Sequence, residues 1–280
     1  MSQHDLAAQF RELHTRSADS PLVLVNAWDA MSARLVEAAG ARAIATTSAG
    51  ISWALGYPDG QGLTRDAMIE SVRRIVSAVR IPVSADVESG YGDSTPDDVA
   101  ATVLAVAAAG AVGVNLEDSP GVNGAPLVAI DIQAARLAAG RAAATASGVN
   151  IFINARVDVF LKQVGDESGR FDDTVRRAKA YVAAGADGIF VPGVTNADVI
   201  RSLAAAVGAP LNVLAMPGAP TIAEMRELGV SRASVGPGLA RSVMAFIRRA
   251  ANEVLVDGTY ESIREQVPSP EANKLFAARD

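Results

Sequence analysis

The chain contains no cysteine, and among its 280 residues it has only two histidines and three lysines. The absence of cysteine excludes disulfides, a thiolate nucleophile and cysteine-ligated zinc. The two histidines, His4 and His14, both lie in the amphipathic N-terminal segment, far from any predicted strand end. Any catalysis must therefore depend on carboxylates, arginine, hydroxyl groups, backbone amides or a bound metal ion.

The sequence also has little that would suit a membrane, secreted or nucleic-acid-binding protein. No run reaches the roughly 18 apolar residues that a membrane span requires. The N-terminal residues MSQHDLAAQFRELHTR mix both charges and lack the apolar core of a signal peptide. A net charge of −6 without a basic cluster argues against nucleic acid as a partner. We therefore expect a soluble, cytoplasmic protein with neither a membrane nor a nucleic acid as its partner.

What the chain does have is a repeated unit, in which an Ala-rich helical run is followed by a glycine and a short apolar run. The unit is clearest in EAAGARAIATTS (37–48), AAAGAVGVNLEDS (107–119), VAAGADGIFVPG (182–193) and ELGVSRASVGPG (227–238). A glycine after a helical run is the usual C-cap. The apolar run behind it does not alternate with polar residues, which is typical of a parallel strand covered on both faces.

Eight such apolar runs, separated by segments of helical length, predict eight strands. They lie near residues 22–26, 43–47, 82–86, 112–116, 150–155, 187–191, 211–215 and 232–235. Eight parallel strands that alternate with helices are typical of a (β/α)₈ TIM barrel. A doubly wound sheet is the alternative, but it normally carries a glycine-rich turn after its first strand, and NAWDAMSAR has none. We predict one α/β barrel domain over residues 1–280, with an N-terminal helix in 1–20 and a C-terminal helical extension in 240–280.

Polar side chains accumulate where the second to fifth predicted strands end, which is the edge that carries the active site in such barrels. In strand order they are Thr46, Thr47 and Ser48; Asp86, Glu88 and Tyr91; Glu117 and Asp118; and Asn154, Arg156 and Asp158.

Three of these carboxylates, Asp86, Glu88 and Glu117, come from adjacent strand ends and are expected to converge on one point. Asp86 and Glu88 are two residues apart, hence on one face of an extended strand. Like charges side by side are unfavourable unless a cation or a shared proton relieves them. A set of oxygen ligands without histidine or cysteine selects a hard cation, so we predict a Mg²⁺ or Mn²⁺ site. A solvated acidic loop is the alternative.

Arg156 would project beside these carboxylates, where its planar fork suits a substrate carboxylate or phosphonate. A structural salt bridge to Glu88 or Glu117 is the alternative, and both can hold at once. Thr46 to Ser48 offer hydroxyls and backbone amides for an anion, or form an ordinary turn. Tyr91 is a candidate proton donor, or a packed side chain between two glycines.

These motifs resemble, over nearly all of residues 20–245, those of the isocitrate lyase / phosphoenolpyruvate mutase superfamily. NAWDAMSARLVEAAGARAIATTSAG resembles its opening strand, helix and second strand, and LGYPDG (55–60) resembles its Leu-Gly-x-Pro-Asp segment. SADVESGYGD (84–93) resembles its Asp-x-Asp-x-Gly-x-Gly signature, with Glu88 where aspartate is usual. GVNLEDS and NARVD match its Glu-Asp and Ala-Arg-x-Asp motifs.

The resemblance implies a (β/α)₈ barrel whose last helix is exchanged between protomers, in a tetramer or a dimer. It implies Mg²⁺ with Asp86 as the main ligand, and with Asp59, Glu88 and Glu117 holding metal-bound waters. It places the substrate against Thr46, Thr47, Ser48, Arg156 and Asn212. Arg156, Glu117 and Tyr91 are then the candidates for catalytic groups.

One segment departs from the family pattern. After the fourth strand, isocitrate and methylisocitrate lyases carry a Lys-x-Cys-Gly-His loop whose cysteine is the general acid. The segment here, SPGVNGAPLVAID (119–131), has no cysteine, histidine or lysine. A positioned acid is worth about a hundredfold to ten-thousandfold in rate. We therefore predict a phosphonomutase-like member that is a very poor isocitrate lyase.

The leading hypothesis is a Mg²⁺-dependent lyase, decarboxylase or hydrolase that acts on a small 2-oxo carboxylic acid through an enolate. A phosphonate-processing enzyme that breaks a C–P bond is one alternative. A non-catalytic protein that binds 2-oxo acids is another, and the loss of the diagnostic loop residues favours it.

Overall fold

The computed structural model describes residues 1–15, 21–120 and 126–277, and these residues form nine strands and eleven α-helices. The strands are β1 Leu22–Leu24, β2 Asn26–Ala27, β3 Ile44–Thr46, β4 Val83–Asp86, β5 Gly113–Glu117, β6 Phe152–Arg156, β7 Gly188–Val191, β8 Leu211–Leu214 and β9 Arg232–Ser234. The helices are α1 Gln3–Glu12, α2 Ala30–Ala38, α3 Ser48–Ala54, α4 Arg65–Ala78, α5 Pro96–Ala108, α6 Ile130–Ala146, α7 Arg170–Ala183, α8 Ala197–Ala206, α9 Ile222–Glu227, α10 Gly238–Asn252 and α11 Ser269–Phe276.

The strands form one parallel sheet in the order β1-β9-β8-β7-β6-β5-β4-β3-β2. Only Val25 separates β1 from β2, so they are two halves of one strand. The first half pairs with β9 and the second with β3, which brings the two edges of the sheet together as a barrel. The predicted (β/α)₈ barrel is confirmed, and every predicted strand overlaps an observed one.

The repeated glycines end the helices as predicted. Gly110 follows α5 with a φ of 91° and Gly185 follows α7 with a φ of 105°. Only glycine adopts this left-handed conformation without strain. At the other ends, Thr95 and Asp29 are N-caps whose side chains accept hydrogen bonds from the first turns of α5 and α2. The sequence thus sets where each helix stops and where the next strand begins.

Helix α1 covers the N-terminal ends of the strands. Phe10 is fully buried, and its ring meets that of Phe152 with centroids 5.7 Å apart. Gly113 makes this approach possible, because a Cβ there would lie 2.8 Å from Phe10 Cε1. The expectation that His14 lies far from any strand end is wrong: its ring stacks on Phe152, the first residue of β6, at 3.9 Å. Residues 16–20 of the predicted N-terminal segment lie outside the described part of the chain.

The barrel interior contains several buried polar side chains. Val213 and Ala233 pack under the helices, whereas alternate positions on the same strands carry the buried polar residues Asn212 and Arg232. Arg232 is 2% exposed, and its Nε and Nη1 atoms have no hydrogen-bond partner in the described part of the chain. Burial lowers the pKa of Arg232 to about 9, so it still carries its charge at neutral pH.

The C-terminal extension leaves apolar surface uncovered. After α10 the chain continues through a π-helical turn over 253–257 to α11, which returns to α2 where Arg34 Nε donates to the carbonyl of Leu275 at 3.0 Å. The exposed apolar residues of α10 and the turn are Met244, Phe246, Ile247, Val254, Leu255 and Val256. No helix in the described residues is long and apolar enough to cross a bilayer.

An apolar cleft of about 890 Å³ lies on the outside of the barrel next to β1, α2 and α10. Its lining includes Leu22, Val23, Val25, Leu35 and Val243. The outer face of the first strand is therefore left open at this point, on the side of the barrel where the chain ends.

Candidate active site

Asp86, the last residue of β4, is held by three hydrogen bonds at the C-terminal mouth of the barrel. Ser48 donates to Asp86 Oδ2 from its backbone N at 3.0 Å and from Oγ at 2.9 Å, and Asn115 Nδ2 donates to Oδ1 at 3.1 Å. Asn154 in turn donates to Asn115 Oδ1 at 3.0 Å. A carboxylate has about four acceptor positions, so about one remains on Asp86 for a further ligand.

Glu88 does not extend the strand face as predicted. The strand ends at Asp86, and Glu88 has a φ of 52°, a left-handed conformation that is uncommon outside glycine. The turn buries its side chain, and the hydroxyl of Tyr91 donates to Glu88 Oε1 at 3.3 Å. Tyr91 is itself buried, and burial together with the charge of Glu88 raises its pKa. This placement favours Tyr91 as a partner of Glu88 over Tyr91 as an acid.

Glu117 and Arg156 are register partners at the ends of β5 and β6, and they form an ion pair of 2.8 Å. Arg156 also binds Asp158 side-on, with Nε 2.6 Å from Oδ1 and Nη2 3.0 Å from Oδ2. Burial alone would lower the pKa of Arg156, but Glu117 and Asp158 together raise it. Of the two salt bridges considered from the sequence, the one to Glu117 forms, and Asp158 supplies a second in place of Glu88.

Behind Arg156 lies a buried polar network that connects the mouth to helix α7. Asp118 Oδ1 accepts from the backbone N of Asp158 at 3.0 Å, and its Oδ2 accepts from Tyr181 at 2.9 Å and from Arg177 Nη1 at 3.2 Å. Ser119 Oγ donates to Asp158 Oδ2 at 2.7 Å. Burial raises the pKa of Asp118 to about 6.

The mouth carries more negative than positive charge. Arg156 lies among the carboxylates Asp59, Asp86, Glu117 and Asp158. Glu88 lies close to three carboxylates of the same mouth, Asp86, Asp59 and Glu117. Burial and the charges of Asp86, Asp59 and Glu117 raise the pKa of Glu88 to about 8. Burial also raises the pKa of Glu117, and burial with the charge of Asp86 raises that of Asp59. An excess of hard oxygen donors with raised pKa values fits a divalent cation such as Mg²⁺ or Mn²⁺.

The expected convergence of three carboxylates on one point is not found. Within the described ranges, no group of three or more Asp, Glu or His side chains is arranged to hold a metal ion directly. The side chains instead have separate partners: Ser48 and Asn115 hold Asp86, Tyr91 binds Glu88, and Arg156 binds Glu117. The arrangement fits one direct carboxylate ligand, with water between the ion and the others.

The predicted substrate-binding residues are only partly brought together. Ser48 lies against Asp86 and its Oγ is 3.5 Å from Asp59 Oδ1. The hydroxyl oxygen of Thr46 accepts a hydrogen bond from the backbone N of Asp86 at 2.8 Å. Thr47 is the buried N-cap residue of α3. Asn212 is deeper in the barrel, where its Oδ1 accepts from Ser234 Oγ at 2.8 Å.

The sequence analysis did not predict two contacts of the site, which are those of Asn115 with Asp86 and of Asp158 with Arg156. Asn115 lies two residues before Glu117, so the alternation of a strand puts both on the inner face of β5. That alternation could have identified it. The side-on contact from Asp158 back to Arg156 depends on the turn after β6, which periodicity does not describe. Segment 119–131 is the one whose sequence differs from the family pattern, and its residues 121–125 lie outside the described part of the chain.

The fold and the residues at its mouth place the chain among the (β/α)₈-barrel enzymes, because polar and charged groups gather at the C-terminal strand ends. The chain belongs to the PEP mutase family: the family model described as phosphoenolpyruvate phosphomutase matches residues 10–255. The resemblance to the isocitrate lyase / phosphoenolpyruvate mutase superfamily is thereby confirmed.

Curated relatives carry lyase and decarboxylase names. A protein of Mycobacterium tuberculosis H37Rv, itself uncharacterised, is 37% identical over 94% of this chain and 93% of its own length. The 2-methylisocitrate lyase of Escherichia coli K12 is 30% identical over 99% of this chain and 93% of its own. An oxaloacetate decarboxylase of Bradyrhizobium ORS 278 is 33% identical, over 62% of this chain and 57% of its own.

Solved structures share the whole fold. A protein of Burkholderia cenocepacia J2315 is 42% identical and superposes with a TM-score of 0.91, covering 99% of this chain and 98% of that one. A phosphonopyruvate hydrolase in complex with oxalate and Mg²⁺ is 25% identical with a TM-score of 0.83, covering 98% of this chain and 95% of that one.

Proposed function

We propose that the protein is a divalent-metal-dependent enzyme that acts on a small 2-oxo carboxylic acid and cleaves a bond to C3, the carbon next to the 2-oxo group. The chemistry is that of a lyase, decarboxylase or hydrolase, and it proceeds through an enolate. The observation that carries the proposal is the set of carboxylates around Arg156 at the barrel mouth. Such a set binds a cation, and the cation with the arginine binds an anion. The decarboxylase, lyase and hydrolase names of the relatives support the same class.

Asp86 would hold Mg²⁺ or Mn²⁺ directly, and Asp59, Glu88 and Glu117 would hold it through water. The bound ion would polarise the 2-oxo oxygen and so stabilise negative charge that develops there. The complex of phosphonopyruvate hydrolase with oxalate and Mg²⁺ supports this choice of cation.

Arg156 would bind the substrate carboxylate. A guanidinium has five N–H donors, and Arg156 uses three of them on Glu117 and Asp158. Two donors therefore remain, which suffice for one carboxylate. Because Glu117 and Asp158 fix the guanidinium from two sides, the substrate would meet a preorganised group.

Oxaloacetate is the substrate we expect to be turned over fastest. Its C3–C4 bond breaks, CO₂ leaves from C4, and the electron pair moves into C2–C3 to give the enolate of pyruvate, which takes a proton at C3. The leaving group, CO₂, needs no proton, so the reaction does not require the acid that the chain lacks. Cleavage of isocitrate does require such an acid.

A phosphonate substrate is the second candidate, and the likeness to phosphonopyruvate hydrolase favours it. Transfer of the phosphoryl group of phosphonopyruvate to water breaks the P–C bond and leaves the same pyruvate enolate. The two candidates thus differ in the leaving group and share the oxygens that the site would bind.

A substrate panel tests the proposal. Oxaloacetate, phosphonopyruvate, isocitrate, 2-methylisocitrate and 2-oxoglutarate are each incubated with enzyme and Mg²⁺, with Arg156→Met as the control. We expect pyruvate from oxaloacetate, lost in Arg156→Met. We expect the rates of glyoxylate release from isocitrate and of pyruvate release from 2-methylisocitrate to stay below about 1 per second, the lower end of ordinary turnover. Binding of these acids without any turnover would favour a non-catalytic binding protein and contradict the proposal.

A further inference from the structure

The buried network behind the mouth gives Arg156 a support that begins on the outer layer of the barrel. Arg177 and Tyr181 are one turn apart on α7, and both contact the same oxygen, Asp118 Oδ2, at 3.2 and 2.9 Å. Arg177 Nη1 also lies 3.2 Å from the hydroxyl of Tyr181. The three side chains therefore form a closed triangle, in which Asp118 and Tyr181 are fully buried.

Asp118 passes this constraint to the backbone of Arg156 itself and to Asp158. Its Oδ1 accepts from the backbone N of Asp158 at 3.0 Å, and its own backbone N donates to the carbonyl of Arg156 at 3.1 Å. The backbone of β6 is thus held at Arg156 and again two residues later. Asp158 then turns back and binds the guanidinium side-on.

A second branch of the network fixes the segment that follows β5. Val128 N donates to the carbonyl of Asp118 at 2.9 Å, and Arg177 Nη1 donates to the carbonyl of Val128 at 3.0 Å. The same arginine therefore holds the side chain of Asp118 and the backbone opposite it. Replacing it would release two constraints at once.

A simple stability role would not require this arrangement. A buried carboxylate needs compensation of its charge, and Arg177 alone supplies that. The additional tyrosine hydroxyl, and the use of both Asp118 oxygens in different directions, restrict where Asp118 can lie. A guanidinium that binds a carboxylate bidentately gains most when its orientation is fixed in advance.

We infer that Arg177 and Tyr181 are positioning residues, which fix the orientation of the Arg156 guanidinium through Asp118 and Asp158. The inference rests on the proposed role of Arg156 in binding the substrate carboxylate. In the described contacts neither Arg177 nor Tyr181 touches Arg156. Each would therefore act on it through Asp118 and Asp158.

Tyr181→Phe tests the inference with the smallest change, since it removes one hydroxyl. Oxalate, a planar dicarboxylate, serves as the probe, and its Kd is measured by calorimetry in the presence of Mg²⁺. We expect Tyr181→Phe to weaken oxalate binding roughly tenfold, the lower end of the range for residues that orient a ligand-binding group. Tyr260→Phe, at an exposed tyrosine, is the matched control and should leave Kd unchanged.

The Arg156 Nε–H resonance supplies a readout that does not depend on function. In the wild type this proton is bound to Asp158, so it should be resolved and exchange slowly with solvent. Tyr181→Phe and Arg177→Lys should each shift it and speed its exchange at least threefold, whereas Tyr260→Phe should not. An unchanged resonance in Tyr181→Phe would overturn the inference.

A double-mutant cycle separates positioning from additive destabilisation. Tyr181→Phe and Asp158→Asn should weaken oxalate binding less together than the product of their single effects, because both act on the same guanidinium. If the two substitutions multiplied their effects on the Kd for oxalate, the inferred positioning of Arg156 through Asp118 and Asp158 would be contradicted. If wild-type protein does not bind oxalate at all, the proposed function fails, while the Arg156 resonance still decides whether this positioning exists.

Discussion

At the residue scale, Asp86 has the clearest chemical role, because Ser48 and Asn115 leave it about one open acceptor position. We expect Asp86→Asn to reduce the affinity for Mn²⁺ or Mg²⁺ at least tenfold, since it removes the charge and half of the oxygen donors. Calorimetric titration of metal into both proteins measures the change. Asp93→Asn, an exposed acidic residue of the same loop, is the control and should bind metal like the wild type.

Arg232 is buried, and two of its three guanidinium nitrogens, Nε and Nη1, have no hydrogen-bond partner in the described part of the chain. Burying a charged group without compensating hydrogen bonds is unfavourable. We therefore expect Arg232→Met to raise the free energy of unfolding in urea. Arg177→Met also removes a buried arginine, but it leaves Asp118 without its cation. It should instead lower the free energy of unfolding by about 3–5 kcal/mol.

His14 should make stability depend on pH. Burial, with the charges of Arg232 and Arg11, lowers its pKa to about 3, although its hydrogen bond to the carbonyl of Phe10 acts the other way. In the unfolded chain its pKa is about 6.5. The folded pKa is the lower one, so the unfolded state binds more protons between these values. The stabilisation is therefore complete above about pH 6.5 and is lost as the pH falls.

Urea unfolding at pH 6.5 and pH 4.5 measures this loss. One proton contributes at most about 1.4 kcal/mol per pH unit. We expect His14→Leu to remove a slope of that order, whereas His4→Leu, at an exposed histidine, should retain it. Equal slopes in the wild type and His14→Leu would show that the ring does not titrate on unfolding.

At the element scale, the contact between α1 and the barrel depends on the absence of a side chain at Gly113. A Cβ there would lie 2.8 Å from Phe10 Cε1 and 2.9 Å from Ser84 Oγ. We expect Gly113→Ala to lower the free energy of unfolding by about 1–3 kcal/mol, the usual cost of overpacking. Gly140→Ala, inside α6 with no contact closer than 3.4 Å, should be neutral or stabilising by up to about 1 kcal/mol. Differential scanning calorimetry or urea unfolding compares the two.

The strands could be predicted because most of them follow a glycine that ends a helix, and because a parallel strand needs an unbroken apolar run. β5 and β6 were placed to within a few residues on this basis. β1 and β4 follow no such glycine and were identified from the apolar run alone. The split of the first strand at Val25 could not be predicted, since it arises only when the two ends of the sheet meet.

The site was predictable where a side chain follows directly from a strand end, as for Asp86, Glu117 and Arg156. It was not predictable where the chain turns. The positive φ of Glu88 removes it from the strand face, and the return of Asp158 to Arg156 is a contact within one turn. The depth of Asn212 in the barrel depends on the tilt of the strands, which no local pattern contains.

At the scale of the whole molecule, the uncovered apolar surface predicts an oligomer. The family resemblance implies a tetramer or a dimer in which C-terminal helices are exchanged. The exposed face of α10 and the cleft beside β1 are both apolar and lie on the side of the barrel where the chain ends. Each could cover the other in a neighbouring copy. Light scattering should therefore report a multiple of 28.8 kDa at micromolar concentration.

Ile247→Asp places a charge on that surface and should shift the mass towards 28.8 kDa. Leu104→Asp, at an exposed leucine on α5 with similar exposure, should keep the wild-type mass. A monomeric wild type would refute the predicted assembly.

The pairing of β1 with β9 has a consequence for how the protein is made. Leu22 meets Arg232, so more than 200 residues of chain separate two neighbours in the sheet. During synthesis from the N-terminus, the first strand emerges early but has no partner on one side until residues 232–234 have left the ribosome. For most of translation it is an exposed edge, and unpaired edges invite association with other chains. The nascent chain, more than the finished enzyme, is therefore the form that would need a chaperone.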